Sequence, residues 1–154
     1  MKKFLLTVPL FFLISLYGQA QQSTPGAQLN LNKNHVAVSG YDVVAYFTQG
    51  KAVEGNKNFP ASAEGAVYYF SSAANRDLFL KDWKKYVPQY GGWCAYAMGA
   101  SGEKVEIDPE TFKITDGKLY LFYHSWVNNT LTKWNKDEAN LKAKADKNWL
   151  TFFK

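Results

Sequence analysis

Cysteine is nearly absent from this chain, in which Cys94 is the only one among 154 residues. A single cysteine excludes an intramolecular disulfide and any redox centre that needs a CxxC pair. Histidine is almost as scarce, with His35 and His124 alone. The chain also has no nucleotide-binding glycine loop, no HExxH and no GxSxG. The sequence therefore predicts no enzyme of a familiar class.

Long apolar runs are missing too, apart from one near the amino terminus. Lys2 and Lys3 precede a mostly apolar run over 4–16, and small residues follow as far as Ala20. A positive segment, an apolar segment too short to span a bilayer comfortably and a small-residue end are the parts of a secretory signal peptide. We therefore expect a signal peptide over 1–20, export to the periplasm or the extracellular space, and no membrane span after cleavage.

Positive charge is present only in modest excess. The formal net charge is +5, and Lys2 and Lys3 of the signal peptide contribute two of these charges. The other lysines are interspersed with acidic residues, so no basic patch of the kind that binds nucleic acid is predicted. After the signal peptide, a polar stretch over 21–34 predicts a flexible linker, and 35–154 predicts a single folded domain.

A strand followed by a helix is predicted within 64–97, where aromatic residues are concentrated. Val67–Phe70 is a β-branched and aromatic run, which favours a strand. Ser71 or Ser72 can cap a helix over Ala73–Asp82. Helical spacing assigns side chains to two faces of this helix. Ala74, Leu78 and Phe79 form the predicted buried face, and Asn75, Arg76 and Asp77 form the exposed face.

Glycine and proline mark the chain reversal that follows this helix. Pro88 ends a helical turn, because it lacks an N–H and disfavours the helical conformation in the residue before it. Gly91 and Gly92 then permit backbone conformations that other residues rarely adopt. This turn is expected to deliver Cys94 and its aromatic neighbours to the strand and helix.

Three motifs of the chain resemble the YHS domain family. They are GYDVVAYF at 40–47, GAVYYFSS at 65–72 and PQYGGWCAYA at 88–97. In this combination the chain is similar to the exported, stand-alone YHS-domain proteins of bacteria. The resemblance implies a small strand-and-helix unit, also found appended to copper-transporting ATPases, with a role in binding metal, copper in particular.

The strand-to-helix turn departs from the metal-associated members of that family. Those members carry cysteines around this turn, whereas this chain has Ser71, Ser72 and Asn75 there. That dithiol site is therefore absent, and any metal ion must be held around Cys94. Soft sulfur ligands prefer Cu(I) to Zn(II). The predicted ligands are Cys94, Met98 and His124, which supply a thiolate, a thioether and an imidazole.

Three roles for Cys94 remain open from the sequence. The first is a metal-binding or metal-handling module that holds a copper ion and serves a metal-transport partner. The second is a thiol-dependent redox protein, which needs an exposed thiol. The third is a structural or interaction domain in which Cys94 packs in the core, since free cysteine is among the most buried residue types. The oligomeric state is left open.

Two further short strands are predicted near the start of the domain, over Val36–Val38 and Val43–Phe47. Asp42 lies in the turn between them. Its carboxylate is expected to accept backbone hydrogen bonds there, and the alternative is a role as ligand or base.

The carboxyl-terminal part predicts a hairpin and then a helix. Asp116-Gly117 is a pair favoured in two-residue turns, and apolar strands flank it. In the helix, Leu141, Ala145 and Trp149 lie four residues apart, joined by Trp134, and Glu138 and Lys142 form an exposed pair. The predicted fold class is α+β: a small antiparallel sheet with a central short helix and a carboxyl-terminal helix.

Overall fold

The computed structural model describes residues 25–154, so the predicted signal peptide lies outside the described residues. Part of the predicted linker is described, and it is held against the fold. The backbone N–H of Asn30 donates to the carbonyl of Gly91 at 2.8 Å. Trp93 Nε1 donates to the carbonyl of Gln28 at 2.7 Å. This part of the linker is therefore no flexible tether.

Helices and antiparallel strand pairs give an α+β fold, as predicted. Within residues 25–154 the strands pair as β1–β2, β3–β4 and β5–β6, each pair a separate two-stranded sheet. The strands are β1 (Asn56–Ala63), β2 (Ala66–Phe70), β3 (Asp108–Thr115), β4 (Lys118–Phe122), β5 (His124–Ser125) and β6 (Asn128–Asn129). The helices are α1 (Ala45–Thr48), α2 (Ala73–Lys81), α3 (Trp83–Tyr86), α4 (Ala95–Ala100), α5 (Thr130–Trp134) and α6 (Glu138–Trp149). Short 3-10 turns lie at Pro25–Gln28, Val38–Gly40, Gln89–Gly92 and Leu150–Phe153.

The region before β1 corrects the two predicted strands. Val43–Phe47 is not a strand, because Asp42 starts a helical turn there. The Asp42 carbonyl accepts the N–H of Ala45, and its carboxylate accepts the N–H of Val44. Val36–Val38 forms only isolated bridges before the chain turns into Val38–Gly40.

Helix α2 confirms the predicted strand-to-helix junction but corrects the predicted faces. Ser72 caps the helix by accepting the N–H of Asn75 at 3.2 Å. Phe79 is buried as expected, whereas Ala74 and Leu78 are exposed. Asn75 is buried instead, because its side-chain amide donates to the carboxylate of Asp42 at 2.7 Å.

The predicted hairpin is confirmed as β3 and β4. Asp116 and Gly117 connect them, with φ angles of 52° and 69°, the left-handed region that this turn requires. The residues that follow Lys118 in β4 are buried on both faces of the strand. Leu119 and Leu121 join a core with β2 and α2, while Tyr120 and Phe122 join a second core with α4 and α6.

Helix α6 confirms the predicted carboxyl-terminal helix. Leu141 and Ala145 are buried in the second core, and Trp134 of α5 is buried beside them. The predicted pair of Glu138 and Lys142 is wrong, because each side chain reaches the β3–β4 hairpin instead. Glu138 bonds to Lys113 at 2.6 Å, and Lys142 bonds to Asp116 at 3.1 Å. None of the helices in the described part of the chain is both long and apolar enough to cross a membrane.

Candidate functional site

Cys94 is fully buried directly before α4. Its Sγ accepts the backbone N–H of Tyr123 at 3.3 Å and lies 3.5 Å from Thr130 Oγ1. The Thr130 hydroxyl donates its one proton to the Tyr123 carbonyl at 2.7 Å. The hydroxyl proton is therefore engaged, which leaves the hydroxyl oxygen as an acceptor for the thiol S–H. Cys94 is packed in the interior between these two residues.

The other two predicted metal ligands have separate partners. Met98 is fully buried in the second core. His124 is exposed, and its Nδ1 lies 3.2 Å from Asp108 Oδ2. Burial raises the pKa of Asp108, but hydrogen bonds from Glu110, Thr111 and His124 outweigh burial and leave that pKa below its usual range.

The three predicted ligands are of types that bind Cu(I), but their side chains do not converge on one point. Cys94 and Met98 are one helical turn apart, and the N–H bond to Cys94 Sγ brings Tyr123, the neighbour of His124, to the sulfur. The imidazole itself lies at the surface against Asp108. Among residues 25–154, no three His, Cys, Asp or Glu side chains form a group able to hold a metal ion. The copper site stays a prediction.

The strand-to-helix turn surrounds a buried carboxylate, that of Asp42. Asp42 is fully buried, and its Oδ2 accepts the N–H of Ser71 at 2.8 Å, the Ser71 hydroxyl at 2.7 Å and the Asn75 amide at 2.7 Å. Its Oδ1 accepts the backbone N–H groups of Val44 and Ala45. The predicted role of Asp42 as a hydrogen-bond acceptor is confirmed. Two positions at which the family resemblance implies cysteines, 71 and 75, thus bind this side chain.

An aromatic cleft of about 410 Å³ lies beside the Gly91-Gly92 turn, and the sequence did not predict it. Tyr68 and Tyr90 are its buried aromatic lining residues, and Trp83 and Trp149 are half-buried. The remaining lining comes from several segments that are distant in sequence. These residues are Leu29, Ala63, Glu64, Val87, Pro88, Gln89, Gly91, Asp146, Leu150 and Phe153.

Gly91 has no side chain, and this allows Trp149 of α6 to pack closely against the turn. Its φ of +61° lies in the left-handed region. A Cβ added at Gly91 would lie 2.8 Å from Cη2 of Trp149 and 3.2 Å from Cδ2 of Leu29. The indole therefore packs directly on the glycine backbone. The predicted use of Gly91 for the chain reversal is confirmed, and its contact with Trp149 adds a second reason for glycine.

Two carboxylates accompany the aromatic lining. The Tyr90 hydroxyl donates to Asp146 Oδ1 at 2.9 Å. Burial, followed by this hydrogen bond, raises the pKa of Tyr90 well above its usual range, so the phenol stays protonated and acts as a donor. Glu64 is exposed in the turn between β1 and β2. Among the described residues that line the cleft, none is lysine or arginine.

Comparison with family models, with curated proteins and with solved structures gives no match. The resemblance to the YHS domain family therefore stays a prediction.

The cleft resembles a small-molecule site in size and lining. A concave, mostly apolar lining with a few fixed polar groups is the usual form of a small-molecule site, and such sites enclose roughly 300–1,000 Å³. Tyr90 and Asp146 supply the fixed polar groups, because their hydrogen bond holds both side chains in place. The exposed side chains of Leu150 and Phe153 belong to the part of the lining that solvent reaches.

Proposed function

We propose that this chain is an exported, non-catalytic binding module, and that a small organic molecule binds in the aromatic cleft. The observation that carries this proposal is the half-buried pair Trp83 and Trp149, which lines a cavity of about 410 Å³. Aromatic side chains gain the most free energy when their remaining exposed area is covered. Export rests on the sequence pattern of the first twenty residues.

The environment of Cys94 favours the core-packing role over the redox role. A redox thiol must be reached by its oxidant and by the partner thiol. The Cys94 sulfur is enclosed and engaged with Tyr123 and Thr130. The binding module therefore uses Cys94 as part of its interior.

Intrinsic tryptophan fluorescence tests the proposal, because two tryptophans line the cleft. The mature chain is titrated with a panel of soluble aromatic compounds, neutral and charged. We expect at least one compound to bind with saturation at one site per chain. Trp83→Leu and the rim variant Phe153→Ala should weaken this binding, whereas Trp126→Leu should not, since Trp126 is exposed and outside the lining.

Two results would overturn the proposal. One is a panel without any saturable binding to the folded parent. The other is binding that the cleft variants leave unchanged while their thermal unfolding shows that they are folded.

The copper site at Cys94, Met98 and His124 remains a second proposal, and it can be tested separately. It is supported by the N–H bond that brings Tyr123, next to His124, to the Cys94 sulfur. Competition with a Cu(I) chelator should give one ion per chain, with near-complete loss in Cys94→Ser. Equal binding by Cys94→Ser would refute it.

A further inference from the structure

We propose that the cleft selects an organic cation, namely an aromatic amine or a quaternary ammonium compound with an apolar body. This inference rests on the proposed function, and it adds the charge and the chemical class of the ligand. Its basis is the joint presence of an aromatic lining and two carboxylates in one cavity.

The sign of charge in the cleft is opposite to that of the whole chain. The chain carries a formal net charge of +5. In the described lining, by contrast, the charged residues are both acidic, namely Glu64 and Asp146. Two carboxylates beside an aromatic surface attract a cation and repel an anion. The cleft is therefore complementary to a positively charged ligand.

The aromatic rings supply a second attraction for the same ligands. A cation within about 6 Å of an indole or phenol face is stabilised by the ring electrons, and tryptophan is the best partner. Trp83 already makes such a contact within the fold, because Nζ of Lys84, which is not part of the cleft lining, lies 5.6 Å from its ring centroid. A quaternary ammonium depends on such rings, since it cannot donate hydrogen bonds.

Asp146 is the carboxylate best placed to orient the ligand. Its Oδ1 accepts the Tyr90 hydroxyl, which fixes the carboxylate beside the buried part of the lining. The other oxygen, Oδ2, is then available to an ammonium group. Asp146 and Glu64 are both exposed, so solvent screens both charges. Because the Tyr90 hydroxyl holds its carboxylate in place, Asp146 should contribute more to cation affinity than Glu64.

The test uses pairs of ligands that differ mainly in charge. Benzylamine, which is protonated at neutral pH, is compared with benzyl alcohol, and phenyltrimethylammonium serves as the quaternary probe. Titration calorimetry on the mature chain should show the cations binding at least about tenfold more tightly than the alcohol. Asp146→Asn should reduce cation affinity by about tenfold and leave the affinity for the alcohol unchanged. Glu64→Gln should have a smaller effect of the same kind.

Asp77→Asn is the matched control, because it removes one exposed carboxylate that lies outside the lining. It should leave the affinities for all three compounds unchanged. Equal affinity for benzylamine and benzyl alcohol would overturn the cation proposal while the proposed function stands. Cation binding that is insensitive to Asp146→Asn would also overturn it. If none of the three compounds binds and the wider panel fails as well, both proposals fall.

Discussion

Ser71 Oγ donates a 2.7 Å hydrogen bond to Oδ2 of Asp42, a carboxylate with no exposure to solvent. The two residues are 29 positions apart, so this bond fastens the start of α1 to the junction between β2 and α2. The backbone N–H of Ser71 and the Asn75 amide complete the contacts of the same oxygen. A structural carboxylate thus organises the turn at which the family resemblance implies thiol ligands.

Replacement of Asp42 by asparagine should strongly destabilise the protein. The amide group would present N–H donors to the donors of Ser71, Asn75 or Val44, and buried donors without acceptors are costly. We expect the free energy of unfolding to fall by about 3 kcal/mol, measured by urea denaturation. Asp77→Asn, at an exposed position, should change it by less than about 0.5 kcal/mol. A similarly small effect of Asp42→Asn would refute the structural role.

The ion pair of Glu138 should make part of the stability depend on pH. A hydrogen bond from Lys113, opposed by burial and supported by Thr115, holds the pKa of Glu138 below its usual range. A lowered folded-state pKa contributes stability above the unfolded-state value, about 4.3, and this contribution is lost as pH falls through the folded-state value. Glu138→Gln should therefore be less stable than the parent at pH 7, with the difference shrinking below about pH 4. Thermal unfolding across this pH range measures it, and a difference that does not vary with pH would contradict the prediction.

The Cys94 thiol should be unreactive in the folded protein. Its sulfur is enclosed by the chain and contacts Tyr123 and Thr130, so an alkylating reagent can reach it only after opening. We expect negligible modification under native conditions and one equivalent per chain in denaturant, counted by mass spectrometry. Rapid native labelling at the rate of a small free thiol would show that Cys94 is accessible and would reopen the redox role.

Substitutions at two glycines with similar φ angles can distinguish the cost of backbone strain from the cost of a steric contact. Gly91 and Gly50 have φ angles of 61° and 64°, but an added Cβ at Gly50 would meet nothing within 4 Å. Gly50→Ala should therefore cost about 1 kcal/mol through conformation alone. Gly91→Ala should cost about 1–3 kcal/mol more, because the methyl group displaces Trp149.

Chemical denaturation of both variants measures this difference, and Gly91→Ala should also weaken ligand binding in the cleft. Equal destabilisation by the two substitutions would mean that the indole of Trp149 moves aside without cost.

The sequence predicted correctly those secondary-structure elements that depend on turn or cap residues only a few positions away. The β3–β4 hairpin follows from Asp116-Gly117, and the start of α2 follows from Ser72, because turn and cap residues act over a few positions. The same reasoning failed at Asn75. Its polar side chain and its place on the helix predicted exposure to solvent. The carboxylate of Asp42, 33 positions earlier, accepts a hydrogen bond from it and makes its burial favourable.

The cleft could not be predicted, for a related reason. Tyr68, Tyr90 and Trp149 are each consistent with core packing, and nothing in their spacing shows that they leave a cavity. The α1 turn was missed because β-branched residues at 43 and 44 favour a strand, while Asp42 overrides that preference through two backbone N–H groups. Contacts between distant segments formed the cleft, whereas the α1 turn depends on hydrogen bonds within three residues of Asp42.

The double-sided burial of β4 has a consequence for how the protein unfolds. Leu119 and Leu121 complete one core, and Tyr120 and Phe122 complete the other, so neither core can lose this strand alone. Melting should therefore be cooperative across both halves, in a single transition. The slowest amide hydrogen exchange should come from this strand, because those protons reach solvent only when the whole chain opens.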